Sequence, residues 1–324
     1  MLILLLHPQY DPACVGYNLY TAINKHTPHT MRHIVGMPTM IISKTLTLKH
    51  DLVISGNYHN CNIDELKRLV NQADILHFSQ YDWTEKITGT SHTFQDLMHR
   101  KDQKIIFQGH GGAWLLDPDK RMELYRKNGV KVITCSQIDE QIIPEAEWMP
   151  NILGTDSFDL TPDWSRDFNK QLHASLASNC PLYKGGEIVS YVFEYLCKFG
   201  YDFKFEYVKN LEKSESIKIR KKHHITVDNW TQGFFGLAGL EGLAMGHIVF
   251  ARLNSLAIKN WQTKFAKMPP IENVMGMDEC AKVLRKYYND RILMKERCIE
   301  NFKWIEDYYT DEKIVKMWKE LYES

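Results

Sequence analysis

Residues 227–253 read VDNWTQGFFGLAGLEGLAMGHIVFARL, and this stretch decides what kind of fold the chain adopts. The β-branched residues 225–227 predict a strand, and residues 237–245 predict a short helix. An apolar strand follows at once. Gly233 and Gly236 stand in the turn between strand and helix, where glycine lets a ligand approach the backbone closely. This order of elements is typical of phosphate-binding sites in α/β proteins.

The start of the predicted helix, at Gly236 and Leu237, is a candidate anion site. The first N–H groups of a helix have no partners within the helix, and the helix dipole favours negative charge there. Glu241 lies one turn further along, where its carboxylate can accept hydrogen bonds from the vicinal hydroxyls of a ribose or hexose. Asp228 ends the preceding strand, so it either binds the same ligand or orders the turn. Because such turns also occur in α/β proteins that bind no nucleotide, the spacing alone leaves the function open.

The run GFFGLAGLEGLAMG, residues 233–246, resembles the donor-site motif of the retaining glycosyltransferases of family 4. That motif has an acid, then a Phe-Gly pair, then a second acid. Phe235 and Gly236 match the pair, and Glu241 matches the second acid. Gly233 stands where the family has its first acid, which helps to position the donor sugar. The resemblance implies a GT-B architecture, in which two doubly wound Rossmann-like domains face across a cleft.

Apolar strand-like runs alternate with helical periods along most of the 324 residues, which predicts doubly wound α/β structure with parallel sheets. We interpret the proline-containing segment 147–164 as an interdomain linker. We therefore predict an acceptor-side domain over 1–155, a donor domain over 156–303, and a closing segment over 304–324 that by the resemblance packs back on the first domain. The predicted strands are 2–6, 31–35, 73–78, 104–107, 131–135, 171–176 and 203–208, and the predicted helices include 17–25, 64–71 and 187–197.

Lys184, in NCPLYKGGE, is the second candidate contact to a phosphate. It lies between a predicted strand and a predicted helix, beside two glycines that keep the backbone accessible, and its ammonium can neutralise a phosphate. A solvated loop lysine is the alternative. The family has a Lys-Gly pair at this point that binds the donor diphosphate, often with an upstream basic residue. The resemblance assigns that second role to His173 or to no residue.

His110, in FQGHGGAW, follows a predicted strand of the first domain, at the edge of the sheet where ligands bind in such folds. The family carries a histidine here that approaches the donor sugar, and His110 matches it better than His77, which we interpret as a buried structural histidine. The family also has a glycine-rich turn after the first strand, and in HPQYDPACVGYN only Gly16 matches it. Asp11, in the same loop, either orients an acceptor hydroxyl or forms a turn.

Charge and cysteine content limit the class of protein. The 40 basic and 40 acidic side chains cancel, which argues against a general attraction to nucleic acid or to anionic membranes. The seven cysteines contain no C-x-x-C pair, which argues against a disulfide framework and a zinc site and favours reduced thiols in the cytoplasm. The apolar run 2–6 is too short to span a membrane, so we expect no stable membrane insertion.

The sequence therefore predicts a cytoplasmic enzyme that moves a sugar from a UDP- or GDP-sugar to an acceptor hydroxyl, and the resemblance implies retention. We expect no metal or cofactor at this site, because in GT-B enzymes helix N-termini and basic residues stabilise the leaving diphosphate. We interpret the basic run IRKKHH, 219–224, as a solvated helix face.

Three alternatives stay open, and one of them is epimerisation of a nucleotide sugar on the same fold, which needs no acceptor. The acceptor is a glycan, a lipid-linked molecule or a modified base of viral DNA, and the last of these requires a basic, aromatic-lined groove on the first domain. A further alternative follows from Gly233, which stands in place of the first family acid. The chain is then a nucleotide-sugar binding protein with impaired catalysis.

Overall fold

The computed structural model describes residues 1–7, 11–35, 39–40, 43–44, 52–53, 63–87, 90–110 and 117–324. These residues form two compact units. The first contains Met1–Ser157 and Asp311–Ser324, and the second contains Phe158–Thr310. Each unit is built on a parallel β-sheet, which confirms the predicted α/β class.

The first unit contains nine of the described strands and, before residue 157, four helices. The predicted strands 31–35, 104–107 and 131–135 are confirmed to within two residues at each end. The elements are β1 (Leu2–His7), α1 (Val15–His26), β2 (Thr30–Val35), β3 (Thr39–Met40), β4 (Ser43–Lys44), β5 (Leu52–Val53), α2 (Ile63–Gln72), β6 (Ile75–Ser79), α3 (Phe94–Leu97), β7 (Lys104–Gly109), α4 (Pro118–Lys127), β8 (Lys131–Thr134) and β9 (Glu147–Trp148).

The main sheet of the first unit has the order β5-β2-β1-β6-β7-β8-β9. Strand β1 pairs in parallel with β2 on one side and with β6 on the other, so the direction of winding reverses between β1 and β6. Residues 3–6 are fully buried because helices cover both faces of a central parallel strand. The carboxyl ends of strands at such a reversal are where ligands bind in doubly wound folds.

The second unit has a five-stranded parallel sheet with the order β11-β10-β12-β13-β14, which reverses between β10 and β12. The strand at 203–208 and the helix at 237–245 are confirmed, the latter one residue shorter. No described helix is long and apolar enough to cross a membrane. The elements are β10 (Leu172–Ala177), α5 (Gly186–Lys198), β11 (Phe203–Val208), α6 (Lys213–Arg220), β12 (Ile225–Val227), α7 (Leu237–Ala244), β13 (Ile248–Ala251), α8 (Ser255–Lys264), β14 (Glu272–Asn273), α9 (Met277–Asn289) and α10 (Arg291–Tyr308).

The predicted closing segment, 304–324, is divided between the two units. Trp304, near the end of α10, lies with its ring centroid 6.1 Å from that of Trp261 on α8. Tyr309 lies 5.8 Å from the same ring. This aromatic cluster holds the end of α10 in the second unit, so the chain passes to the first unit only at Asp311.

The last helix, α11 (Asp311–Glu323), packs within the first unit. The Trp318 indole N–H donates to the Pro150 carbonyl at 2.9 Å. His77 Nδ1 lies 2.8 Å from the Tyr322 hydroxyl, and its ring stacks on Trp318. Burial lowers the pKa of His77 to about 3, so this imidazole is neutral at pH 7. His77 is therefore a buried histidine that binds α11 to the sheet.

Asp311 is the polar contact that connects α11 to the segment before the unit boundary. Its carboxylate accepts from the Gly154 N–H at 3.0 Å, the Thr155 hydroxyl at 2.9 Å and the Asp156 N–H at 3.2 Å. The segment 147–164 is thus not a free linker over its first half, because residues 151–154 are buried and bonded.

We expect Asp311→Ala to lower the free energy of unfolding by about 1–3 kcal/mol, because it leaves the buried Gly154 N–H without an acceptor. The matched control is Glu312→Ala, since the Glu312 side chain is 65% exposed and, among the described residues, pairs only with Lys316 at 3.7 Å. That control is expected to change stability by less than about 0.5 kcal/mol. Urea unfolding followed by circular dichroism measures both, and equal effects of the two substitutions would contradict the assignment.

Candidate functional site

Two loops at the reversal point of the second sheet bring Lys184 and Asp228 into contact. Lys184 ends the loop after β10, and Asp228 directly follows β12. The Lys184 ammonium donates to Asp228 Oδ1, and the Trp230 N–H donates to the Lys184 carbonyl at 2.9 Å. The Asp228 carboxylate is fully buried, whereas 23% of the Lys184 side chain is exposed. The ammonium therefore lies at the surface of the loop pair, supported from below by a buried anion.

The Asp228 carboxylate also binds the amino end of α7. Its Oδ2 accepts from the Gly236 N–H at 2.6 Å and from the Gly239 N–H at 3.2 Å. The anion that the helix dipole favours at this end is therefore a side chain of the protein itself. The expectation that the Gly236 N–H is free for a phosphate is corrected, because it already has an acceptor. The N–H groups of Leu237 and Ala238 have no acceptor among the described residues.

Phe235 and Gly233 fix the turn before α7. Phe235 is fully buried, and its ring stacks on Trp261 at a centroid distance of 4.9 Å, so it anchors the turn and faces no ligand. Gly233 has φ +85°, and a Cβ there would lie 3.1 Å from Asn254 Nδ2. A side chain at position 233 is therefore strained by the backbone and crowded by Asn254. The backbone conformation at position 233 therefore favours glycine over the acid that the resemblance led us to expect there.

Glu241 is buried between two cations. Its Oε1 accepts from the Lys213 ammonium, and its Oε2 accepts from the Arg220 guanidinium at 2.5 Å. Burial alone would raise the pKa of Glu241, but the two cations outweigh it and hold that pKa below the ordinary value of 4.5. A ribose that bound Glu241 would share the carboxylate with Lys213, whose side chain is 17% exposed.

The interpretation of 219–224 as a solvated helix face is wrong for half of its residues. Arg220 is 1% exposed because it pairs with Glu241 and also donates to the Ala238 carbonyl at 2.7 Å. His223 and His224 are buried as well. The available signal was Glu241 itself: it is the only charged residue of the apolar helix α7, and a buried charge requires a partner of opposite sign. Lys213 and Arg220, seven residues apart, share one face of α6.

His173 is not brought to the Lys184 loop. It is the second residue of β10, whereas Lys184 follows the carboxyl end of that strand. Four strand steps of about 3.3 Å place His173 about 13 Å before Ala177 along the chain. Its ring neighbours are His223 and His224, at centroid distances of 6.0 and 6.3 Å. The predicted donor contact at His173 is therefore corrected, because His173 lies near the amino end of β10 and Lys184 lies beyond its carboxyl end.

In the first unit, His110 follows β7 at the carboxyl edge of the sheet, as predicted. Its Nδ1 lies 3.2 Å from the sulfur of Cys135, which follows the neighbouring strand β8. Burial lowers the pKa of His110 to about 4, so the ring is neutral at pH 7. When the Cys135 thiol donates to Nδ1, the proton of the neutral ring is on Nε2, which has no partner among the described residues. The glycines after His110 lie outside those residues.

Asp11 and Gly16 shape the first loop of the first unit. Asp11 is fully buried, and its carboxylate accepts from the N–H groups of Gly16 and Tyr17, both at 2.8 Å. It therefore binds the first turn of α1 and is not exposed to an acceptor. A Cβ on Gly16 would lie 2.1 Å from the His7 ring, so Gly16 makes room for that imidazole. Of the two interpretations of Asp11, the structure shows the turn former.

Comparison with known proteins connects this geometry to solved structures. No family model matches the chain, and no curated protein sequence matches it. An α-glucosyltransferase in complex with UDP and a 13-mer DNA has a TM-score of 0.69 and 11% identity, with 100% of this chain and 99% of that chain covered. A glycosyltransferase from Rickettsia africae ESF-5 has a TM-score of 0.64 and 12% identity, covering 99% and 97%. A sucrose-phosphate synthase from Thermosynechococcus elongatus has a TM-score of 0.61 and 11% identity, with 99% of this chain and 98% of that chain covered. These similarities confirm the predicted GT-B fold.

We expect Glu241→Gln to lower the free energy of unfolding at pH 7 by about 3 kcal/mol, because it leaves two cations without their buried anion. The folded-state pKa of Glu241 lies below 4.5, so its contribution is complete above that pH and is lost as the pH falls through the folded-state value. Urea unfolding at a series of pH values therefore shows a constant difference near neutrality that shrinks in acid. The control, Glu194→Gln on the exposed face of α5, is expected to show almost no difference, and a pH-independent loss in Glu241→Gln would contradict the ion-pair account.

Gly233→Glu, which introduces the acid that the resemblance led us to expect, should destabilise the protein by about 1–2 kcal/mol, since a side chain in the left-handed region costs about that much. Gly233→Ala should cost a similar amount. The control is Gly276→Ala, because Gly276 has φ −158° and open space around it. Thermal unfolding of the three variants decides the matter, and a Gly233→Glu variant as stable as the wild type would refute the backbone explanation.

Proposed function

We propose that this chain is a glycosyltransferase that moves a sugar from a nucleoside-diphosphate donor to an acceptor hydroxyl. The observation that carries the proposal is the Lys184–Asp228 pair at the reversal point of the second sheet, beside the amino end of α7. In doubly wound folds this position binds ligands, and the cation there is partly exposed. The GT-B fold, shared with three sugar-transferring or sugar-phosphate enzymes, supports the same interpretation.

Lys184 supplies the positive charge for the diphosphate. An ammonium has three N–H donors, and Asp228 takes one of them, so two can reach phosphate oxygens. Asp228 acts as a positioning residue, because it holds both Lys184 and the first turn of α7. The N–H groups of Leu237 and Ala238 add donors at the positive end of the helix dipole. Together these groups stabilise the charge that develops on the leaving diphosphate.

The remaining predicted residues have narrower roles in this proposal. Glu241 contacts the donor ribose once Lys213 moves aside, and His110 donates from Nε2 to an oxygen of the donor sugar. Asp11 holds the first loop in place. Transfer breaks the bond between the sugar C1 and the phosphate oxygen, which keeps the electron pair. The acceptor oxygen bonds to C1 and its proton passes to a phosphate oxygen, on the same face of the sugar, as the resemblance to retaining enzymes implies.

We propose a UDP- or GDP-sugar as donor and leave the acceptor class to experiment. The α-glucosyltransferase of similar fold forms complexes with UDP and 13-mer DNA, one of them containing an HMU base, so DNA that carries HMU belongs in the acceptor panel beside glycans and lipid-linked acceptors. The formal net charge of zero favours no particular nucleic-acid affinity. Free thiols at the six described cysteines fit a reducing compartment, and we place the reaction in the cytoplasm.

The test is a thermal-shift panel of nucleoside diphosphates and their sugar conjugates on the wild type, Lys184→Met and Lys198→Met. A ligand at about 100 times its dissociation constant stabilises the native state by about 2.7 kcal/mol. We expect one nucleotide class to stabilise the wild type and the exposed-lysine control Lys198→Met, and to bind Lys184→Met at least about tenfold more weakly. Each variant is compared with its own ligand-free baseline, because loss of Lys184 also leaves Asp228 without its cation.

Turnover separates the enzyme from a binding protein. The nucleotide sugar identified by the shift is incubated with the acceptor panel, nucleoside diphosphate release is measured, and NMR gives the anomer of the product. A retained anomer supports the full proposal. Binding without release under any condition supports the nucleotide-sugar binding alternative, and no shift with any nucleotide from folded protein overturns the proposal.

A further inference from the structure

Three side chains of the second unit form a group that the proposed function does not use. His173 lies on β10, Glu206 lies on the neighbouring strand β11, and His223 lies in the turn before β12. One potential ligand atom from each lies within 4.8 Å of the other two. The group is on adjacent parts of the sheet although its members are up to 50 residues apart in the chain, so only the parallel pairing of β10 with β11 and β12 assembles it.

Several ring nitrogens of this group have no hydrogen-bond partner among the described residues. The His173 ring makes no hydrogen bond to any described residue, and His223 Nδ1 is buried without a partner. The contact inside the group joins His223 Nε2 and Glu206 Oε1 at 2.6 Å. Both nitrogens of the His173 ring are therefore open to a cation, while the His223 imidazole and the Glu206 carboxylate already touch. This open imidazole beside a buried imidazole and a carboxylate is the observation that points to a ligand.

We propose that His173, Glu206 and His223 form a binding site for a zinc ion. Imidazole nitrogens and a carboxylate oxygen are zinc ligands, and three protein ligands with a water in the fourth position are common for this metal. Bonds of about 2.0–2.1 Å in a tetrahedron place the ligand atoms about 3.3 Å apart. The group closes to that size by rotation of His173 and of Glu206, whose side chain is 35% exposed.

The charges around the group are compatible with a cation. Lys204 lies 3.8 Å from Glu206 Oε2, so that oxygen can retain Lys204 while Oε1 binds the metal. The nearby Arg220 is neutralised by Glu241. The bound ion replaces the hydrogen bond between His223 and Glu206. The absence of a C-x-x-C pair argues against zinc sites built from thiolates. The proposed site uses no cysteine, so that argument does not apply to it.

The position of the site sets its effect. His173 lies near the amino end of β10, away from the Lys184 and Asp228 loops at the carboxyl end, so the ion does not touch the diphosphate. It instead cross-links two strands and the turn before a third. Metal bound only by the native state raises its stability by mass action. Zinc binding is therefore expected to stabilise the second unit and to leave nucleotide binding unchanged.

The test uses the full chain stripped of metal by a chelator and titrated with zinc, by calorimetry and by thermal shift. We expect one equivalent to bind and to raise the unfolding temperature. His173→Gln and Glu206→Gln are both at partly exposed positions, and we expect each to weaken zinc binding more than about 100-fold, since loss of outer partners alone costs 10–100-fold. Their metal-free unfolding temperatures should match the wild type, which shows that they fold.

Controls separate this site from other histidines and thiols. His92→Gln, at an exposed histidine of the first unit, should bind zinc as the wild type does. Cobalt substitution should give the visible absorption of a tetrahedral ion without a thiolate charge-transfer band, which excludes the exposed Cys180 and Cys197. Zinc binding that is unchanged in His173→Gln and Glu206→Gln, or no binding of one equivalent to the wild type, would overturn the proposal.

Discussion

A single buried carboxylate, that of Asp228, holds together the edge of the second sheet on which the proposed site depends. One of its oxygens binds the Lys184 ammonium, and the other binds the N–H groups at the start of α7. A fully buried charge is tolerated only when it is paired and hydrogen-bonded, so the loop after β10, the end of β12 and the start of α7 are constrained together. The same contacts leave the Lys184 side chain partly exposed. The position of the cation that we propose to bind phosphate is thus a consequence of satisfying Asp228.

Buried carboxylates have the same structural role elsewhere in the molecule. Asp11 binds the first turn of α1, and Asp311 binds the segment that precedes the boundary of the first unit. Glu241 differs, because its partners are the side chains of Lys213 and Arg220 rather than backbone N–H groups. For Asp11 and Asp311, an anion next to a helix end or loop replaces water as the partner of backbone N–H groups. Buried carboxylates therefore hold the loops at the edges of both sheets, whereas apolar side chains fill the centres of the sheets.

The sequence predicted most of the regular structure because the physical signals were local. Central parallel strands such as β1 and β13 are apolar on both faces, and α7 lies between a glycine-bearing turn and Gly246. The two-residue strands β3 to β5, β9 and β14 were not predicted, because two residues are too few to show a periodic pattern. In the site, Lys184 and Asp228 were identified from their places after strands. Their mutual contact, and the partners of Glu241, were not visible in the sequence.

What the sequence by itself determined is the α/β order, the places of the loops that follow the strands, and the cation and acids those loops carry. Tertiary structure decided how these groups are used. Strand direction separates His173 from Lys184, and backbone geometry disfavours any side chain, including an acid, at Gly233. Glu241 is buried, and its carboxylate therefore pairs with Lys213 and Arg220. The physical reason is that hydrophobic periodicity indicates which residues of a single helix or strand are buried. Charge pairing instead joins residues that are distant in the chain and that meet only when the parallel strands assemble.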